Sequence, residues 1–138
     1  YASKPAVDLL LGTAAQESLL GTYVRQVGGG PALGIYQMEP ATHDDIWQNF
    51  IEYQPGVQAS LDEALDGAMA YRGGPSAERL VYDLRYATIM ARLHYYRRPE
   101  PLPDDLVGLA QYWKTHYNTE LGAGTVSEYV HNARTLLA

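Results

Sequence analysis

Apolar residues recur with helical spacing along most of the chain. Residues 4–20 follow this pattern, with Pro5 near the start and Gly21 as a stop, and they predict a first helix. Further helices are predicted over 43–52 after a cap at Thr42, from a Ser60 capping box to Tyr71, over 77–97 after a cap at Ser76, over 105–117, and after a Thr125 capping box. The pattern therefore predicts a mainly α fold.

One early stretch does not fit the helical pattern. Residues 21–40 contain Gly28-Gly29-Gly30-Pro31, then Gly34 and Pro40, which are typical of turns and irregular backbone. We expect an irregular segment there, with room for a short β-ribbon. The proline-rich linker over 98–103 is too short to separate domains, so residues 1–138 are interpreted as a single domain.

Composition narrows the class of protein. The 138 residues are 46% hydrophobic and include no cysteine, so stability must come from packing rather than from disulfides. A formal net charge of −6 argues against nucleic-acid binding through a basic surface. No apolar run approaches the roughly 20 residues of a membrane span. We expect a monomer, and because the chain begins with Tyr1 we expect a processed or excised part of a longer product.

Three short motifs contain the candidate chemistry. Glu17-Ser18 ends an otherwise apolar helix, where a lone carboxylate costs free energy unless it has a function or a partner. The segment over 34–42 reads Gly-Ile-Tyr-Gln-Met-Glu-Pro-Ala-Thr. Tyr117-Asn118 follows late in the chain.

In this order and spacing, the motifs resemble those of the lytic transglycosylases of the goose-lysozyme-like superfamily. That family carries a Glu-Ser pair, a Gly-Leu-Met-Gln segment before a Pro-x-Thr helix start, and a late Tyr-Asn pair. The resemblance runs from about residue 7 to residue 118. Ile35 and Tyr36 replace the family's Leu and Met, and Thr119-Glu120 stand where Ala-Gly is usual.

The resemblance implies a lysozyme-like fold and cleavage of the MurNAc-GlcNAc β-1,4 bond of peptidoglycan, which leaves 1,6-anhydroMurNAc ends. It implies that Glu17 acts first as acid and then as base. Tyr117 would hydrogen-bond Glu17 or position the sugar, and Ser18 would orient the helix end or touch substrate. The residues implied for substrate binding are Ser18, Tyr36, Gln37, Met38, Tyr117 and Asn118. No cofactor is expected, and no metal, because the four histidines form no ligand pair at helical spacing.

The chemistry of glycosidic cleavage explains the lone carboxylate. An acid that is protonated near neutral pH needs a raised pKa, which an apolar pocket supplies. Most glycosidases use two carboxylates, and Glu39 is the best second candidate. Two alternatives stay open: a hydrolytic muramidase on the same fold, and a non-catalytic glycan-binding or structural domain. In each case the expected partner is the glycan strand of the bacterial cell wall, reached in the periplasm, after export or as part of a phage.

Overall fold

Seven α-helices make up most of the chain that the structure describes. The structure is a computed structural model, and it describes residues 2–26, 29–65, 75–118 and 122–138. The helices are α1 (Lys4–Ser18), α2 (Pro40–Asn49), α3 (Pro55–Ala64), α4 (Arg79–Tyr82), α5 (Leu84–Tyr96), α6 (Leu106–Trp113) and α7 (Val126–Leu136). A 3-10 turn (Ile51–Tyr53) precedes α3, and a π-helical segment (Lys114–Asn118) continues α6. The prediction of a mainly α fold is confirmed.

The first helix packs against the last helices of the chain. α1 begins where Ser3 accepts a hydrogen bond from the Ala6 amide (3.2 Å), and its apolar face contacts α5, α6 and α7. Gly12 allows α7 to approach closely, because a Cβ there would overlap the Tyr129 hydroxyl group. That hydroxyl donates to the Leu9 carbonyl oxygen (3.0 Å). The two ends of the chain therefore hold each other in place.

Large aromatic side chains fill the core between these helices. Trp113, Tyr86, Tyr95 and Tyr129 are fully buried. The buried hydroxyls have partners: Tyr95 bonds Thr13 of α1 (2.8 Å), for example. Because every buried side-chain nitrogen or oxygen atom of the described residues has a partner, these tyrosines add large apolar area to the core without an unpaired hydroxyl.

Two helices begin earlier than their predicted caps. α2 begins at Pro40, so Thr42 lies inside the helix instead of capping it. α3 begins at Pro55, and Ser60 is an interior residue whose hydroxyl donates to the Gly56 carbonyl oxygen (3.1 Å). Proline is well suited to the first turn of a helix because its missing N–H has no partner there. The predicted end of this helix at Tyr71 lies outside the described residues.

The long helix predicted over 77–97 is two helices. Asp83 interrupts it, and its carboxylate caps α5 by accepting from the Tyr86 amide (3.0 Å). This side-chain bond competes with continuation of the helix. The Thr125 cap is confirmed, since Thr125 Oγ1 accepts from the Glu128 amide (3.1 Å) at the start of α7, and the same hydroxyl donates to the Glu128 carboxylate (2.9 Å).

The irregular segment predicted near residues 21–40 joins α1 to α2. In place of a β-ribbon, its described residues form two isolated antiparallel bridges, Arg25 with Leu33 and Leu33 with Met38. Gly34 has a φ of +81°, and a Cβ there would overlap the Leu80 carbonyl oxygen of α4. Only glycine fits this position without strain. The segment is thereby pressed between α4 and the end of α1.

No helix within the described residues is long and apolar enough to cross a membrane.

Candidate active site

Glu17 lies one residue before the end of α1, at the floor of a cleft. The helix ends sharply after it, because Leu19 and Leu20 have φ values of +49° and +55° and Gly21 follows at +90°. Non-glycine residues rarely adopt this left-handed conformation, and such residues are often found at functional sites. The turn leaves the Glu17 carboxyl at the cleft while the buried face of the helix packs in the core.

Burial dominates the electrostatics of Glu17. It raises the pKa of the Glu17 carboxyl from its ordinary value of 4.5 to about 7, because the charged form loses hydration there. A hydrogen bond from Trp113 offsets part of this effect. At neutral pH the group is therefore divided between its acid and base forms.

The partner of Glu17 is Trp113, which our sequence analysis missed. The indole Nε1 donates to Glu17 Oε2 at 3.0 Å, across 96 residues of sequence. Trp113 is fully buried and packs its ring against Tyr129 (5.3 Å between centroids). A usable signal was present in the sequence, since Trp113 and Tyr117 are four residues apart and so share a helical face.

Gln37 brings the irregular segment to the cleft. It has a φ of +49°, and its side-chain Nε2 donates to the carbonyl oxygens of Gly34 (2.9 Å) and Tyr23 (3.1 Å). Its side chain lines the same cleft as Glu17. The amide nitrogen thus joins two parts of the irregular segment beside the cleft.

Tyr117 closes one wall of the cleft. Its hydroxyl donates to the Tyr36 carbonyl oxygen at 2.6 Å. One of its two expected roles was a hydrogen bond to Glu17, and the hydroxyl is directed to Tyr36 instead. Its ring stacks on Tyr95 (5.2 Å between centroids). Burial, helped by the nearby Glu17 carboxylate, holds the pKa of Tyr117 well above its ordinary value, so the hydroxyl stays a donor.

Lys114 fixes the wall beside Tyr117. Its ammonium group donates to Asn118 Oδ1 (2.6 Å) and to the carbonyl oxygens of Gly122 (3.0 Å) and Gly124 (2.7 Å). Asn118 and Gly122 both line the cleft. Asn118, which the resemblance implies for substrate binding, is thus fixed in this wall by Lys114, whose role was not foreseen.

Three predicted substrate contacts lie in the core rather than in the cleft. Ser18 is 1% exposed, and its hydroxyl donates to the Ile35 carbonyl oxygen (2.5 Å) and accepts from the Gly21 amide (2.9 Å). The side chains of Tyr36 and Met38 are 7% and 3% exposed. In this irregular backbone alternate residues face opposite sides, so Gln37 points to the cleft while its two neighbours point inward. Their side chains hold the segment in place and are not among the described residues that line the cleft. Ser18 orients the helix end, which is one of the two roles expected for it, and a substrate contact of Tyr36 or Met38 would come from the backbone.

Glu39 is the second carboxylate of the cleft. Its side chain is exposed and lines the same surface as Glu17, just before α2 begins. It makes no side-chain cap to that helix. The hypothesis that Glu39 takes part in chemistry stays open on this geometry.

The cleft has a volume of about 560 Å³ and is bordered by polar side chains. Its lining residues are Glu17, Tyr23, Gln26, Ala32, Gln37, Glu39, Thr42, Tyr117, Asn118, Gly122 and Ala123. No family model, curated protein or solved structure matches the chain. A second cavity, of about 400 Å³, opens among α1, α3 and α5, but the described residues that line it are almost all apolar and include no carboxylate. Of these two cavities, only the Glu17 cleft is therefore lined by a carboxyl group.

Proposed function

We propose that this chain is a peptidoglycan lytic transglycosylase with a lysozyme-like fold, in which Glu17 is the only acid and base. The observation that carries the proposal is a carboxyl group with a pKa near 7 at the floor of an open, polar cleft. A group with that pKa is protonated often enough at neutral pH to donate a proton, and it is ionised often enough to accept one afterwards.

The proposed reaction uses this carboxyl twice. Protonated Glu17 gives its proton to the glycosidic oxygen between MurNAc and GlcNAc, and the bond from C1 to that oxygen breaks. The GlcNAc leaves with a free 4-hydroxyl group. The Glu17 carboxylate then takes the proton of the MurNAc 6-hydroxyl as its oxygen bonds to C1. The product has a 1,6-anhydro ring, Glu17 is protonated again, and no water is consumed.

Trp113 and the cleft wall support this role. The indole donor of Trp113 holds Glu17 Oε2 and leaves the second carboxyl oxygen to face substrate. Neutral amide and hydroxyl groups, including those of Gln37, Asn118 and Thr42, border the cleft. Such groups suit the hydroxyl and N-acetyl groups of a sugar, which is uncharged at these positions. Glycan strands are thus held by local contacts, in keeping with a chain whose net charge is −6.

A hydrolytic muramidase is the second candidate, and Glu39 is the observation that favours it. Inverting glycosidases use a second carboxylate to activate a water molecule. Glu39 is an exposed carboxylate on the lining of the same cleft. In this version water, rather than the 6-hydroxyl group, attacks C1, and the product has a reducing end.

Either activity would take place at the bacterial cell wall, where peptidoglycan lies. We propose that the protein reaches it in the periplasm, by export, or as a phage lysis or virion component.

The deciding experiment is mass spectrometry of purified peptidoglycan digested with the wild type, Glu17→Gln and Glu39→Gln. We expect 1,6-anhydromuramic ends from the wild type and from Glu39→Gln, and none from Glu17→Gln. Products heavier by one water, lost in Glu39→Gln, would replace this proposal by the muramidase. If the wild type binds glycan without cleaving it, a non-catalytic glycan-binding domain becomes the better explanation.

A further inference from the structure

Tyr23 differs from the other tyrosines whose side chains reach the cleft or the core. Its side chain is 47% exposed and lines the same cleft as Glu17. Buried tyrosines such as Tyr95 and Tyr129 pack their rings against other aromatic rings and bond their hydroxyls to protein groups. Among the described residues, no ring contact and no hydroxyl bond of Tyr23 is found. Core packing therefore does not account for this aromatic side chain.

The backbone of Tyr23 is nevertheless held at both of its polar groups. Its amide donates to the Ser18 carbonyl oxygen (3.1 Å), next to Glu17. Its carbonyl oxygen accepts from the Gln37 side chain (3.1 Å). The backbone that carries the ring is thus bonded to the end of α1 and to the Gln37 side chain of the irregular segment. Its position relative to Glu17 is set by these bonds.

An exposed aromatic ring in a polar cleft suits one kind of ligand surface. A pyranose ring presents a face of C–H groups, which packs on an aromatic ring, and an edge of hydroxyl groups, which needs hydrogen-bond partners. Gln26 and Gln37 lie along the same cleft and offer amide partners for that edge. The charged groups of this wall are few, which fits an uncharged ring better than a phosphate or a peptide carboxylate.

We infer that Tyr23 is the sugar-stacking residue of the Glu17 cleft, packing against the pyranose that adjoins the bond to be cleaved. This inference rests on the proposed function and adds a substrate-binding residue to it. Tyr23 binds the glycan and takes no part in proton transfer. Its removal therefore weakens binding and raises KM, whereas kcat changes little.

The first test measures binding without cleavage. A four-unit GlcNAc oligosaccharide is titrated into Glu17→Gln protein by calorimetry, alone and combined with Tyr23→Ala, Tyr23→Phe or Tyr53→Ala. Tyr53 is the matched control, since it is 72% exposed but does not line the cleft. We expect Tyr23→Ala to weaken binding about tenfold, and the other two changes to stay within about twofold.

The second test measures turnover with otherwise wild-type protein on purified peptidoglycan. Tyr23→Ala should raise KM by a similar factor with kcat nearly unchanged, and circular dichroism and melting temperature should match the parent. Binding by Tyr23→Ala equal to that of its parent overturns the inference and leaves the proposed function intact. A wild type that cleaves no glycan overturns the proposed function, and if the oligosaccharide still binds through Tyr23 the stacking inference survives alone. A chain that neither binds nor cleaves overturns both.

Discussion

The strongest physical prediction concerns the pH dependence of stability in Glu17→Gln. Glutamine keeps the shape of the side chain and an acceptor oxygen for Trp113 but cannot ionise. Burial raises the pKa of Glu17 from 4.5 to about 7, so the folded protein binds this proton more tightly than the unfolded chain does. The resulting stability is fully present below pH 4.5 and is lost as the pH rises through about 7.

The structure also gives the size of the effect. The step from 4.5 to about 7, at about 1.4 kcal/mol for each tenfold change in proton affinity, corresponds to about 3 kcal/mol. Because the cleft is open to solvent on one side, this figure is an upper bound. It is a large share of the roughly 5–15 kcal/mol that stabilises an ordinary domain. The free energy of unfolding of Glu17→Gln, relative to that of the wild type, should therefore increase by up to about 3 kcal/mol between about pH 4 and about pH 8.

Urea denaturation followed by far-ultraviolet circular dichroism measures this difference directly. Free energies of unfolding of both proteins are compared at intervals over that pH range. Glu52→Gln, at an exposed position of the 3-10 turn, is the control, and it should retain the pH dependence of the wild type. A difference between Glu17→Gln and the wild type that stays constant with pH would refute the desolvation of Glu17, and with it the reason for calling it an acid.

Four further outcomes follow from the same contacts. Cleavage of glycan by the wild type should decline above about pH 7 as Glu17 loses its proton, and a kcat/KM profile that is flat to about pH 9 would contradict this. Trp113→Phe removes the indole donor to Glu17, so the pKa of Glu17 should rise further and the alkaline limit of the kcat/KM profile should move up with it. Tyr117→Phe leaves the Tyr36 carbonyl without its donor and should lower the free energy of unfolding by about 1–3 kcal/mol, measured in urea, unless another donor replaces it. Gly34→Ala forces a Cβ into the α4 backbone at positive φ and should cost about 2 kcal/mol or more, visible as a lower melting temperature, whereas an unchanged value would mean that the loop moves freely.

Sequence periodicity predicted the longer helices well because they bury apolar residues at helical spacing, as α1 and α5 do. Its helix boundaries were wrong where a proline and a capping residue both indicated the start of a helix. At Pro40 and Pro55 the fixed φ of proline began the helix before the capping residues Thr42 and Ser60 were reached. At Asp83 a side chain that caps α5 broke a pattern whose apolar positions alone looked uninterrupted. Local hydrogen bonds of this kind leave little trace in hydrophobic spacing.

The candidate site was predictable only in part. The order of the motifs predicted that four residues belong to one site, and the structure places all four in the lining of one cleft: Glu17, Gln37, Tyr117 and Asn118. Which side chains of the irregular segment point to the cleft and which to the core was not predictable, because this depends on turns such as the one at Gly34. The helical spacing of Trp113 and Tyr117 indicates a shared face, but the hydrogen bond from Trp113 to Glu17 joins residues that are far apart in the sequence. The bonds from Lys114 to loop carbonyl oxygens leave no trace in the hydrophobic pattern.

The packing of α1 against α7 has a consequence for when this protein becomes functional. During synthesis α1 leaves the ribosome before α6 and α7, yet Leu9 bonds to Tyr129 and Glu17 bonds to Trp113. Contacts this far apart in sequence form late, after the entropy of closing a long loop has been overcome. Until α6 and α7 have been made, Glu17 is therefore a hydrated carboxylate, and its pKa rises only when these helices pack against α1. Removal of α7 should lower the pKa of Glu17 toward its ordinary value although every described residue of the cleft is still present.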